Sequence, residues 1–485
     1  MDVPSEGRTG GRPLHAGDRL IGYLVSAVLA LLTAYGLAAT PGLMARWGAS
    51  WLGWGILLLW LAAAWLAVPL AERSPSKPRL IELAALQVVL RVAAALLFAG
   101  RTPGGDALYY LILSGNVLAG RGLSVEEPYI GSTVHALYPP AYALLLSGWI
   151  SCFGASAASL LLLNTLIDTA AAMLIWRIGD LLDRPGAGRA AAWLYLLWPS
   201  TLLSAPLAQK EGLCALLILI LAHQWLSGLQ RGWGTLRGGA LIGLAAGLLA
   251  LTQPGQAPLA ALFGLSLVPV ASLGRVAAIG FAALPFALLL LLPWWIRNWL
   301  MFGAFVPLTT TAPISLWIGN NPAATGNWMP PPAVLRGMPE LDYGRAIGGL
   351  AKQWIASHPL EFLRLTATKF VRAVGTGQFG VGRLAGMTPR PSAATLAALF
   401  PLAQLSHLLL LGNAAVAALR QALPVRILLL LVLACLLQLV LFGVWFEFGE
   451  RHREFMTPLL LLTICCAFTA ENTAFAFRGR RETNG

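Results

Sequence analysis

The sequence predicts an all-α polytopic membrane protein with about twelve transmembrane helices, juxtamembrane helices at the outer face and one long extracytoplasmic loop. Three observations predict it. Hydrophobic residues fill 58% of the 485 positions and charged residues only 11%, against roughly 25% charge in soluble domains. So little charge cannot cover a water-soluble fold of this size. Long apolar runs recur, for example at 240–251 and 427–444. The basic residues behind the formal charge of +13 lie mostly between those runs, as topology signals do, and no basic face suggests nucleic acid as a partner.

Taken in order, the chain opens with Arg8, Arg12 and Arg19 before an apolar run over 20–39. That run exceeds the roughly 7–15 residues of a signal-peptide core and reads as a retained first span. Further spans, each of the length a bilayer requires, are expected at 50–71, 80–99, 156–176, 190–207, 212–228, 239–252, 257–273, 276–296, 396–418, 427–446 and 456–475. The segment 138–153 is apolar but short and opens on Pro139-Pro140, so it is placed at the outer membrane face. Regions 100–137 and 299–392 are too polar to span. The second contains a helical stretch over 341–374, broken at Pro359, in which Leu350, Trp354, Ile355, Phe362 and Leu365 share a face beside Lys352, Arg364, Lys369 and Arg372. This stretch is either an amphipathic helix on a membrane surface or an ordinary helix of a small subdomain.

Arginine and lysine set the orientation, because they translocate poorly from short loops. With both termini cytoplasmic, every inner segment carries a basic residue: Arg73, Lys77 and Arg79; Arg177, Arg184 and Arg189; Arg231 and Arg237; Arg275; Arg420 and Arg426; Arg478, Arg480 and Arg481. The cysteines (Cys152, Cys214, Cys435, Cys465, Cys466) show no C-x-x-C spacing and read as packing residues. Ala/Leu/Arg richness points to a bacterial cell (inner) membrane.

Ionisable residues at the outer ends of spans are candidates for function, since charge near hydrocarbon is costly. Asp106 follows Gly104-Gly105, just after the third span and Arg101. Its carboxylate can take a proton from a hydroxyl or hold a divalent cation, or simply cap the helix that starts at Ala107. Gln209-Lys210-Glu211 occupies a short outer turn, where the Lys–Glu neighbours can also be an exposed pair of little value. Arg297-Asn298 and Glu450-Arg451-His452-Arg453 end or precede spans. Clustered guanidiniums there bind phosphate bidentately, although Arg297 among Trp294, Trp295 and Trp299 also suits an interface anchor. Arg91, inside the third span, either pairs with an acid such as Asp168 or snorkels.

These residues carry a resemblance. The stretches Gly105-Asp106-Ala107-Leu108-Tyr109-Tyr110, Gly120-Arg121-Gly122-Leu123, Tyr138-Pro139-Pro140-Ala141-Tyr142, Gln209-Lys210-Glu211-Gly212-Leu213, Pro293-Trp294-Trp295-Ile296-Arg297-Asn298 and Leu316-Trp317-Ile318-Gly319-Asn320-Asn321-Pro322, with the arginines before Thr457-Pro458, resemble the GT-C superfamily of membrane glycosyltransferases. The likeness is greatest to bacterial relatives of protein O-mannosyltransferases and lipid A aminoarabinose transferases (glycosyltransferase family 39/83-like). It covers residues 80–460 or so. It implies the following division: 1–79, a cytosolic tail and two added spans; 80–298, the transmembrane core with the first outer loop at 100–137; 299–395, the long extracytoplasmic loop; 396–485, closing spans and a cytosolic tail.

The same resemblance implies that a sugar moves from a polyprenyl-phosphate-linked donor to an acceptor hydroxyl of a lipid, glycan or protein at the outer face. Asp106 and Glu211 would be the catalytic acids. Arg101, Tyr109, Tyr110, Tyr138, Lys210, Arg297, Asn298, Glu450, Arg451 and Arg453 would bind the donor phosphate or substrate. Many relatives carry a second acid beside the loop aspartate. Here Ala107 follows Asp106, which weakens the case for a bridging divalent cation and favours a single general base. The rival from another class is a multi-span transporter or lipid flippase, whose polar site would sit near the bilayer midplane.

Overall fold

The computed structural model describes residues 16–72, 77–231, 235–420 and 422–468. Arg8, Arg12, Arg73, Arg478, Arg480, Arg481 and the end of the last expected span lie outside the described residues. In chain order the helices are α1 (Ala16–Trp47), α2 (Trp51–Glu72), α3 (Lys77–Phe98), α4 (Asp106–Leu118), α5 (Pro140–Phe153), α6 (Ala157–Leu181), α7 (Pro185–Leu196), α8 (Pro199–Ser204), α9 (Glu211–Arg231) and α10 (Thr235–Thr252). They continue with α11 (Leu259–Ser266), α12 (Leu273–Phe302), α13 (Ala312–Gly319), α14 (Glu340–Ser357), α15 (Pro359–Gly375), α16 (Phe379–Ala385), α17 (Ala393–Ala417), α18 (Leu423–Gln438) and α19 (Thr457–Phe468). One antiparallel hairpin, β1 (Val125–Glu127) with β2 (Ser132–Val134), lies in the first loop.

Eight helices among the described residues are long and apolar enough to cross a membrane: α1, α2, α6, α9, α10, α12, α17, and α18 with its π-helical continuation to Gly443. Of the four other expected spans, two are interrupted within the described residues and two, at 80–99 and 456–475, are described only in part. Pro199 holds Trp198 extended (φ −68°, ψ 132°), which splits the run 190–207 into α7 and α8. Pro254 and Pro269 lie in 3₁₀ turns on either side of α11, since neither can donate to an α-helical ladder. In α3 the stretch Ala85–Phe98 is apolar but shorter than a full span by itself, and α19 ends the described chain at Phe468. The apolar segment 138–153 is the short helix α5.

Within the region 299–395 the chain forms α13 to α16, and the helical stretch expected over 341–374 is α14 and α15. The break expected at Pro359 is present, with His358 non-helical (φ −133°, ψ 55°) between α14 and α15. Tyr343 and Ile347 of α14 are buried with Ile314 and Ile318 of α13, so this stretch is part of a packed subdomain. Leu360 and Leu363 still face outward on α15, 80% and 55% exposed. The Glu340 carboxylate fastens this subdomain to the first loop, accepting from the backbone N–H groups of His135 (2.6 Å) and Ala136 (3.0 Å). Gly36 lets α1 meet the end of α15. A Cβ there would lie 2.1 Å from the Gly375 carbonyl oxygen.

Alternate helix termini gather at one end of the bundle. The Trp47 indole donates to Gln378 (2.7 Å), Ser50 N–H to the Ala397 carbonyl (3.2 Å) and the Gln438 amide to the Gly255 carbonyl (2.6 Å). Arginines gather at the other end, where Arg189 donates to the carbonyls of Ala71 and Glu72 and Arg275 to that of Gly228.

Between the two ends, Arg91 and Asp168 form a buried ion pair at 2.8 Å that ties α3 to α6. Removing one partner of such a pair strands the other charge, at a cost of about 3–5 kcal/mol. Asp168→Ala is therefore expected to lower the melting temperature in detergent markedly. The double variant Arg91→Met, Asp168→Leu should recover most of the loss. If Asp168→Ala melts with the parent chain, the pair contributes nothing.

Candidate active site

The gathered termini enclose a cavity of about 1330 Å³, larger than the roughly 300–1,000 Å³ of drug-sized ligand sites. Its wall begins at Gly105, whose positive φ of 60° lets the chain turn into α4 without strain. Asp106 is the first residue of that helix. No helix N–H donates to its carboxylate. It accepts instead from the Arg451 guanidinium, across 345 positions of sequence. Arg451 in turn donates to Glu447 (3.2 Å), four positions earlier in the non-helical stretch before it, and His452 lies 3.8 Å from the same carboxylate.

Burial alone would raise the pKa of Asp106. The charges of Arg451, Lys210 and Arg383 outweigh it and hold the group at about 2. Glu447, against the same burial, is also held at about 2, by Arg451 and His452. Both acids are therefore ionised at neutral pH.

Lys210 and Glu211 do not pair with each other. Glu211 meets Arg383 of α16 at 3.4 Å, and in the orientation that satisfies both groups the Gln209 amide oxygen accepts from Arg383 at 2.9 and 3.0 Å. Lys210 lies over the Tyr110 ring at 5.6 Å, and burial lowers its pKa.

Glu450 differs from the other acids. Burial raises it to about 7 despite Arg453 and the Thr376 hydroxyl nearby. Thr376 has one hydroxyl proton but two oxygen neighbours, the Arg372 carbonyl at 2.9 Å and the Glu450 carboxyl. Both contacts are satisfied when Glu450 carries a proton and donates it to Thr376 Oγ1.

The structure brings some of the expected residues together and not others. Asp106, Tyr109, Tyr138, Lys210, Glu211, Glu450 and Arg451 line the cavity, and Tyr110 lies buried behind Tyr138. The remaining four stand away from the wall. Arg453 is 5% exposed and donates to the carbonyls of Ala373 (2.8 Å) and Thr376 (2.6 Å). Arg101 donates to the Leu97 and Pro389 carbonyls. Arg297 covers Trp294 and donates to Asn298 Oδ1 (2.9 Å), while the fully buried Asn298 donates to the Val306 carbonyl (3.0 Å). These groups brace loops.

Sequence reasoning missed Glu447, Arg372 and Arg383, which also line the cavity. Glu447 directly follows the apolar run expected at 427–446, which was a usable signal. Arg383, in the middle of a long polar region, offered none. Among the described residues no three His, Cys, Asp or Glu side chains converge as metal ligands, and the Asp106 carboxylate already faces a guanidinium. This donor set does not fit a divalent cation, and no step is routed through one.

No family model matches the chain, and no curated protein matches its sequence. The chain is similar to solved structures of an oligosaccharyltransferase from Archaeoglobus fulgidus. One, AglB in complex with an inhibitory peptide and a dolichol-phosphate, has 14% identity and a TM-score of 0.46, over 79% of this chain and 50% of that one. Another, in complex with Zn and sulfate, has 15% identity and a TM-score of 0.47, over 78% and 48%. The chain thus spans about half the length of the solved structures it matches.

Proposed function

We propose that this chain is a GT-C type membrane glycosyltransferase, akin to the bacterial relatives of protein O-mannosyltransferases and lipid A aminoarabinose transferases, that moves a sugar from a polyprenyl-phosphate donor to an acceptor hydroxyl. The observation that carries this reading is the Asp106–Arg451 pair in a cavity formed by helix termini, with Lys210 and Arg383 beside it. The acceptor hydroxyl gives its proton to Asp106 as its oxygen attacks the anomeric carbon. The bond from that carbon to phosphate breaks, and polyprenyl phosphate leaves with the electron pair. Arg451, Arg383 and Lys210 meet the developing charge.

A carboxylate held at about 2 is a weak base. The donor phosphate competes for Arg451, and drawing that guanidinium aside restores basicity to Asp106 only when substrate is present. Cavity residues at helix termini favour this reading over a transporter, whose site belongs at the midplane. The cavity would then open at the outer face of a bacterial inner membrane, with both chain termini cytoplasmic. The acceptor is a hydroxyl of a lipid, a glycan or a protein.

The test is reconstitution of the full chain in vesicles with radiolabelled polyprenyl-phosphate sugars and a bacterial envelope extract as acceptor. Release of polyprenyl phosphate together with labelled acceptor is expected. Movement of intact labelled donor across the bilayer, without release, would establish a transporter instead.

A further inference from the structure

A second wall of the cavity plays no part in the proton transfer. Glu127, the last residue of β1, lines it and is only 6% exposed. Its carboxylate accepts from the Tyr109 hydroxyl (3.1 Å) and the Tyr129 N–H (3.4 Å). Among the described residues no lysine, arginine or histidine stands within ion-pair distance of it. Burial raises its pKa, but a carboxylate so desolvated gains from further hydroxyl donors. Aromatic rings lie around it. Tyr109 and Tyr138 stack at 5.3 Å, and Tyr129 and Trp328 meet edge-on at 5.0 Å; all four line the cavity.

This composition selects a ligand class. A phosphate would be repelled by Glu127 and is better served by Arg451 and Arg383. A plain hydrocarbon tail would leave the carboxylate desolvated and unanswered. A sugar ring meets both demands: its C–H faces are apolar and slightly positive, suited to the negative faces of aromatic rings, and its hydroxyls donate to the carboxylate. Tyr109 follows Asp106 by three positions on α4, so it shares that helix face one turn on. A ring held there would sit beside the proposed base.

We infer that Glu127, Tyr109, Tyr138, Tyr129 and Trp328 form a saccharide subsite, which orients a lipid-linked sugar with its phosphate toward Arg451. This assignment rests on the transfer reading for its place in catalysis, but its ligand chemistry stands separately. The sugar belongs either to the donor or to a glycan acceptor.

The experiment is saturation-transfer NMR on the full chain in nanodiscs with methyl glycosides of glucose, mannose, galactose and N-acetylglucosamine, followed by affinities for polyprenyl-phosphate sugars and for polyprenyl phosphate alone. At least one glycoside is expected to receive saturation on its ring C–H protons. Glu127→Gln and Trp328→Ala should each weaken that binding about tenfold, the size of one lost charged hydrogen bond or stacking contact. Trp328 is 53% exposed, so its removal should leave the fold intact. Polyprenyl phosphate alone should bind all variants alike.

A tenfold loss of affinity for the lipid-linked sugars assigns the subsite to the donor; a tenfold rise in acceptor KM with donor affinity kept assigns it to the acceptor. Glycoside binding within twofold of the parent in both variants overturns the subsite, as does a parallel loss of polyprenyl phosphate binding. A parent chain that binds glycosides but not polyprenyl phosphate upholds the subsite and counts against the transfer reading alone.

Discussion

Asp106→Asn is expected to lower transfer about 10²- to 10⁴-fold, the range a positioned general base supplies. The substitution keeps the shape of the side chain and its place at the first position of α4. It removes the proton acceptor, while Arg451 retains its contact with Glu447. Binding of polyprenyl phosphate should persist and tighten, because Arg451 no longer has to leave a carboxylate. The measurements are kcat with the reconstituted chain and the Kd for polyprenyl phosphate. Turnover at the parental rate would remove Asp106 from the chemistry, since no helix N–H contact remains to explain its placement.

Arg451→Gln should be nearly as damaging, by about 10²- to 10³-fold in kcat, as expected of a group that meets charge developing on the leaving phosphate. A further consequence separates it from the first variant. Arg451 is the main influence pulling Asp106 and Glu447 down to about 2 against their burial. Without it both pKa values rise, so the residual activity should fall as the medium is acidified from neutral pH, over a range where the parent profile is flat on that side. Stability should follow the same sign. The parent gains from ionised Asp106 and Glu447 above the ordinary carboxylate range and loses that gain toward pH 2; the variant should lose it at higher pH. Arg451→Lys keeps a charge but cannot span two carboxylates with one planar fork, and should recover only part of the rate. An unchanged pH profile in Arg451→Gln would break the link between the two residues.

How far these groups could be read from sequence varied with the range of the interaction. Asp106 and Lys210-Glu211 were legible because polar residues beside apolar runs stand out, and Glu447, directly after the run 427–446, could have been found by the same rule. Arg297 and Arg453 resembled phosphate ligands equally well in sequence. Their guanidiniums instead serve backbone carbonyls that the fold leaves open, at Leu123 for one and at Ala373 and Thr376 for the other. Glu127 was passed over because an acid in a loop is ordinarily solvated. Only the aromatic residues folded around it make it a buried one.

By itself, the sequence determined that the chain is a helical membrane protein, roughly where its apolar helices run, that 341–374 breaks at Pro359, and which polar residues stand at helix ends. Those features follow from local hydropathy, backbone sterics and the cost of charge in hydrocarbon, each expressed within some twenty neighbouring residues. Tertiary structure decided which cations meet which acids: Arg451 with Asp106, Arg383 with Glu211 and Arg91 with Asp168. A charge's partner is whatever the fold brings within a few ångströms. In these three pairs the partners lie 77 or more positions apart, beyond the reach of any local pattern.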